Sequence, residues 1–247
     1  MEEFNLPKSW SEITIEQFNE LKQLDNNLNY YDRQLHILSI LVDRLPDDDY
    51  WEDVDVDSIT GSFNELKWLS IEPSTNKIDY YKEYKSIDFS KITFGEFLDL
   101  EYYFIDWYSN LDKISAVVFR LYKKDEWNNI VLQEYGSYDI EERADVFLNE
   151  SINNFYWILK VYLDWKDNTL SIYQNLFEPV ITDEDEDYIP DEDDIEQERL
   201  ESINNKWGWE QVLHQFSNGD ITKYDSITKL PLILILNQMS FRKELKL

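Results

Sequence analysis

The residue types that most often do acid–base work are scarce in this sequence and poorly placed for it. There are two histidines, His36 and His214. His36 lies inside a stretch with helical apolar spacing and has no second ligand nearby, which fits a structural imidazole. His214 lacks the serine and carboxylate context of a triad. Cysteine is absent, which excludes thiol nucleophiles, thiolate metal sites and disulfide scaffolds. The five glycines, Gly61, Gly95, Gly136, Gly208 and Gly219, are too scattered to cradle a phosphate. No Walker or dinucleotide fingerprint occurs. Asp53-Val54-Asp55-Val56-Asp57 begins like a calcium loop, but Ser58 and Asn64 stand where an EF-hand needs Gly and Glu. Carboxylate pairs of the glycosidase kind have no distinctive candidate, because acidic residues occur throughout. The expectation is a non-enzymatic protein with no cofactor and no metal.

Charge narrows the partner class. The chain carries 52 Asp+Glu against 23 Lys+Arg, a formal charge of −29. Such a field repels nucleic acid and anionic membranes, keeps the protein dispersed and draws in basic partners. Nucleic-acid binding is therefore not expected. The start, Met1-Glu2-Glu3-Phe4-Asn5, has no apolar run and does not read as a signal peptide. The longest apolar stretch, Leu230 to Leu236, is far too short to span a bilayer. A cytosolic setting fits the lack of cysteine.

Aromatic residues make up 16% of the chain, enough to build a core by themselves. Apolar spacing predicts a mainly α fold. Helices are expected over about 11–22, with Thr14 and Gln17 forming a capping box, and over about 32–45, stopped by Pro46. Residues 47–57 read as an acidic loop. Near 67–89 the pattern turns strand-like, at Lys67 to Ile71, Ile78 to Tyr81 and Tyr84 to Phe89. Helices follow over 140–147 and 152–165, the latter resuming at 170–176 after a break at Asp167-Asn168.

Two segments repeat. Ile13-Thr14-Ile15-Glu16-Gln17-Phe18-Asn19-Glu20-Leu21 matches Ile92-Thr93-Phe94-Gly95-Glu96-Phe97-Leu98-Asp99-Leu100. After each comes a second apolar helix, Leu35 to Leu45 and Leu111 to Leu121, sharing Leu, Ser, Val, Arg and Leu at equal steps. Helical periodicity alone would not produce the shared Ile-Thr start. The reading is a duplicated amphipathic two-helix unit, with copies near 9–45 and 90–122.

Asp183 to Asp187 and Asp191 to Asp194 flank Tyr188-Ile189-Pro190 in a block too charged to pack. This places a duplicated helical domain at 1–182, an acidic linker or loop at 183–200 and a C-terminal helical hairpin at 201–247. Helices are expected over 201–215 and 231–239. Trp207 and Trp209 lie two apart and cannot share one helix face. One of them is therefore available to a partner, and Trp207, Trp209 and Tyr188 are the candidate partner-binding residues.

The layout resembles proteins of tailed phages of Bacteroidetes-type hosts, including crAss-like phages, and within them tail-assembly chaperones. The likeness rests on Leu6-Pro7-Lys8-Ser9-Trp10, the two Ile-Thr helices, Asn110 to Ile114 and the stretch from Trp209 to Leu232. It implies a protein that binds a helical partner such as a tape-measure protein in the host cytoplasm during infection. The first alternative is a virion structural component, such as a neck, ring or internal protein, which implies an oligomer. The second is an acidic DNA-mimic inhibitor.

Overall fold

The computed structural model describes residues 5–43, 51, 54, 56–136, 139–177 and 208–245. The protein is mainly α-helical with one small antiparallel sheet. It divides into two compact units. The first comprises residues 1–87 and 100–164, the second residues 88–99 and 165–247.

In the first unit, α1 (Ile15–Gln23) starts later than the expected residue 11, after a separate 3-10 helix over Trp10–Glu12, and at the capping box the sequence predicts. Thr14 Oγ1 accepts from the Gln17 amide at 3.1 Å, and Gln17 Oε1 accepts from the Thr14 amide at 3.1 Å. Two orphan donors of the first turn are thereby satisfied. α2 (Tyr30–Leu41) is capped by Asn29, whose side chain accepts from the Asp32 amide. It ends earlier than expected, and Asp43 takes a left-handed φ of 55°. Pro46 lies outside the described residues. α3 (Val56–Phe63) takes in Val56 and Asp57, the last two residues of the expected 47–57 loop.

The expected strand at Lys67 to Ile71 is instead a 3-10 helix over Glu65–Ser70. Long-range contacts hold it there. The Trp68 indole donates to the Pro7 carbonyl at 3.1 Å and meets Trp10 edge-on at 5.1 Å. Strands do form beyond it. β1 (Tyr80–Tyr81) and β2 (Tyr84–Ser86) make a tight hairpin through Lys82, at φ 50°. β2 pairs antiparallel with β3 (Phe119–Lys124), and β3 with β4 (Ile130–Leu132), giving the order β1-β2-β3-β4.

Between β2 and β3 the chain forms α4 (Phe94–Phe104) and α5 (Leu111–Val118). The second repeat helix therefore stops at Val118, not Leu121. Phe119-Arg120-Leu121-Tyr122 is aromatic and apolar enough to pair as a strand, and β2 provides the partner. α6 (Ile140–Leu148) and α7 (Trp157–Ile172) follow. α7 runs unbroken through Asp167-Asn168. Its break comes at Tyr173, before α8 (Gln174–Phe177). The core of the first unit is aromatic: Phe119 meets Phe155 at 5.5 Å, Phe147 at 6.1 Å and Trp157 at 6.1 Å. All four rings are fully buried.

The second unit holds the start of α4 with a helix over 208–217 (α9), α10 (Tyr224–Thr228) and α11 (Leu232–Leu245). α9 ends on Asn218 and Gly219, both left-handed, with the Gly219 amide donating to the His214 carbonyl at 3.0 Å.

The two Ile-Thr segments build the same local structure, one in each unit. Thr93 and Glu96 close a capping box at 2.7 and 3.2 Å, as Thr14 and Gln17 do. The flanking main chain then makes a short bridge to a distant segment. Ile15 N donates to Glu150 O and Ile152 N to Ile13 O. Phe94 N donates to Leu230 O and Leu232 N to Ile92 O. Each helix start is clamped by two main-chain bonds to a stretch that itself leads into later apolar helix.

Glu150 ties this clamp to the sheet. The Tyr81 hydroxyl and Lys82 Nζ both donate to its carboxylate. Burial pushes the carboxyl up, but the bonds from Lys82 and Tyr81 outweigh it, so Glu150 ionises below its ordinary value of 4.5. A carboxylate whose pKa is depressed on folding stabilises above the unfolded pKa. That contribution is lost as pH falls through the folded pKa. Glu150→Gln is therefore expected to lower Tm by a few degrees at pH 7 and by less at a pH well below 4.5, as the carboxylate takes up its proton. Thermal melts across that range test it; equal deficits at both pH values would contradict the linkage.

Candidate functional site

The most distinctive surface is the β3–β4 hairpin of the first unit. Phe119 anchors its base, and no residue from 120 to 136 that is described is buried. One face carries Leu121, Lys123 and Val131, the other Tyr122, Lys124, Ile130 and Leu132, because Lys123 pairs with Val131 and Lys124 with Ile130. Lys123 and Lys124 make no ion pair among the described residues. Arg120, Lys123 and Lys124 on this hairpin stand against Asp125, Glu126 and Glu134.

The tip of this arm is pre-set. Asp125 Oδ1 accepts from the amides of Trp127 at 2.9 Å and Asn129 at 2.8 Å, and Oδ2 accepts from Asn129 Nδ2 at 3.1 Å. Asn128 supplies the left-handed residue, at φ 64°. The Asn129 bonds hold the Asp125 carboxyl below its usual range. This turn presents Trp127 to solvent with 82% of its surface exposed. A rigid, exposed indole loses little conformational entropy on docking, which is the character of an interface anchor.

The same unit has an open cleft of about 550 Å³ between α1 and α2. Leu24, Leu28 and Ile40 form its apolar part, and Glu16, Glu20 and Asp43 stand among its acidic groups. No Lys or Arg lines it among the described residues. Burial, then Glu16 and Asp43, push the Glu20 carboxyl up. His36 also lines this cleft; it has no triad partner there.

In the second unit, α11 buries Leu232, Ile235 and Leu236. Its other side leaves Leu234, Phe241 and Leu245 exposed. With Gln238 these residues step by four, three and four, the spacing of a coiled-coil seam. Tyr173 donates to Asn237 Oδ1 at 2.8 Å, and Arg242 lies 4.7 Å from the Phe216 ring centroid, so the helix is held from beside the stripe.

Of the residues singled out from sequence, Trp207 and Tyr188 lie outside the described residues. Trp209 is half-buried on α9, with its ring 4.7 Å from Phe97 and 6.3 Å from Phe94. His214 stands 3.3 Å from the Tyr224 hydroxyl. Among the described residues, no group of three or more His, Asp or Glu could hold a metal ion. None of the described helices is long and apolar enough to cross a membrane. Trp127 and the α11 stripe were not evident from sequence periodicity. The signals that would have found them are the turn-rich Asp125-Glu126-Trp127-Asn128-Asn129 between alternating residues and the four-three-four apolar spacing of α11. No protein-family model, curated protein or solved structure matches this chain.

Proposed function

We propose that this chain is a non-catalytic assembly protein that binds a helical protein partner, in the manner of a tailed-phage tail-assembly chaperone acting on a tape-measure protein. The observation that carries the reading is the exposed α11 stripe, Leu234, Phe241 and Leu245. A stripe with seam spacing is suited to a second helix, whose own apolar residues fill the holes between its knobs. The acid surface supports the same role. An aggregation-prone helical client stays dispersed when its carrier has a charge of −29. The resemblance to phage tail-assembly chaperones supplies the name of the client, and it stands on sequence layout alone.

Co-expression with the tape-measure protein of the same phage, followed by calorimetric titration, tests this reading. Leu234→Glu with Phe241→Glu is expected to weaken binding about a hundredfold or more, since two apolar anchors are replaced by buried charge. Gln238→Leu is expected to tighten it, because an apolar residue then completes the seam. Binding that ignores both changes would remove α11 as the contact, and no binding at all would remove the client. Mass spectrometry of purified particles separates the chaperone from a virion component. A chaperone is abundant in infected cells and absent from particles, whereas a neck, ring or internal protein has a fixed copy number.

A further inference from the structure

We propose that Asn218 is a site of spontaneous deamidation, held in check by the C-terminal end of α9 and released when that end opens. The inference uses neither the α11 stripe nor the reading of a helical partner. Asn218-Gly219 is the only Asn-Gly pair in the chain. It is therefore the one asparagine followed by a residue with no side chain to hinder main-chain attack on the asparagine's own amide carbon.

The fold selects both residues. Asn218 has φ 54° and Gly219 φ 76°. Two consecutive left-handed residues at a helix end favour Asn and Gly over other types. A Cβ at Gly219 would also lie 3.3 Å from His214 Cε1 and 3.5 Å from its Nε2. The pair that ends α9 is thus also the pair most open to cyclisation. Both residues are exposed to water.

The reaction consumes only water. The Gly219 main-chain nitrogen bonds to Asn218 Cγ as the Cγ–Nδ2 bond breaks, and the Gly219 amide proton leaves with the ammonia. Water then opens the cyclic imide at either carbonyl, giving aspartate or isoaspartate. In the folded chain that nitrogen is engaged. Its N–H donates to the His214 carbonyl at 3.0 Å, and the buried Ser217 hydroxyl donates to the same oxygen at 2.8 Å. The Asn218 amide donates to the Gln215 carbonyl and the Asp220 amide to the Ser217 carbonyl, both at 3.2 Å, which fixes the turn on either side. Cyclisation therefore proceeds from the fraction of molecules in which this end has opened. The product places a negative charge at a helix C-terminus, and isoaspartate also lengthens the main chain, so each event loosens the end further.

The test is peptide mass spectrometry of the full chain, kept at one pH with and without concentrated guanidinium chloride. In the unfolded chain Asn218 is expected to react before every other asparagine. In the folded chain it is expected to react about tenfold more slowly, or slower still. Two variants then address the gate. Trp209→Ala removes the ring that α9 sets against Phe97 and Phe94. It is expected to raise the folded rate about fivefold or more and to leave the unfolded rate unchanged. Ser217→Ala takes one bond from the His214 carbonyl and leaves the aromatic contacts of α9 in place. It is expected to raise the folded rate about threefold. Asn218→Gly keeps the left-handed turn and is expected to abolish the signal. Circular dichroism confirms that each variant folds. Equal rates in the folded and unfolded wild type overturn the gate, as do folded rates that neither variant raises. An unfolded chain that loses other asparagine amides first overturns the site.

Discussion

Replacing Phe119 with alanine is expected to destabilise the first unit by about 3–5 kcal/mol, the usual cost of emptying a fully buried ring site. Phe119 is fully buried and meets three other rings, Phe155, Phe147 and Trp157, within 6.1 Å. Phe147 and Phe155 also touch each other at 5.2 Å. The walls of the site are thus mutually braced and cannot collapse into the space left behind, which places the cost high in the range. Phe119 is also the only buried residue of β3. Its loss should release the hairpin from the core as well as lower global stability. Urea unfolding measures the first effect, and amide hydrogen exchange over residues 120–133 measures the second. Leu121→Ala is the control. That side chain is exposed, so its loss should cost well under about 1 kcal/mol. A Phe119→Ala protein with near wild-type midpoint and protected arm amides would show that the ring cluster does not hold the hairpin.

The parts of the fold legible from sequence are those fixed by near neighbours. Thr14 with Gln17 is three residues of separation and one capping box, and the box forms as read. The strand propensity around Tyr80 to Ser86 also ends in paired strand, because a tight turn keeps the two strands adjacent. What escaped the reading depends on distant partners. Nothing local to Ile13 or Ile92 announces that Glu150 to Ile152 and Leu230 to Leu232 will bridge to them. Lys67 to Ile71 has strand composition, yet it pairs with no strand among the described residues and forms 3-10 helix, with the Trp68 indole bonded to Pro7.

The repeat itself concealed the arm. Leu111 to Leu121 aligns so well with Leu35 to Leu45 that the match carried helix three residues past its true end at Val118. Those three residues are the start of β3. The candidate partner residues were likewise chosen by type and spacing. Spacing alone cannot tell that Phe94 and Phe97 receive the Trp209 indole. The exposure of Trp127 depends on a turn closed by Asp125, and that closure needs β3 and β4 to pair.

Removing the carboxylate of Asp139 is expected to cost about 3 kcal/mol, while replacing its partner Arg143 with methionine is expected to be close to neutral. Arg143 is buried on α6, and its Nη1 donates to Asp139 Oδ1. Its Nε and Nη2 are buried with no hydrogen-bond partner. The guanidinium is therefore desolvated but only part-satisfied, and one ion pair offsets most of that penalty. Asp139→Ala leaves the charge stranded beside Tyr84, whose hydroxyl pKa it lowers against the larger upward push of burial. Arg143→Met keeps the aliphatic packing and removes both the charge and the two orphaned donors, and Asp139, one-fifth exposed, can then be solvated. The double variant should recover most of the loss seen for Asp139→Ala, giving a coupling energy of about 2 kcal/mol or more in a double-mutant cycle by urea unfolding. If Asp139→Ala costs under about 1 kcal/mol, the guanidinium is finding water or another acceptor when the carboxylate is gone. If Arg143→Met is itself severely destabilising, the arginine contributes packing and hydrogen bonding beyond that single pair. Either result would move α6 from a helix whose buried charge is tolerated to one whose buried charge specifies the fit of α5 against it.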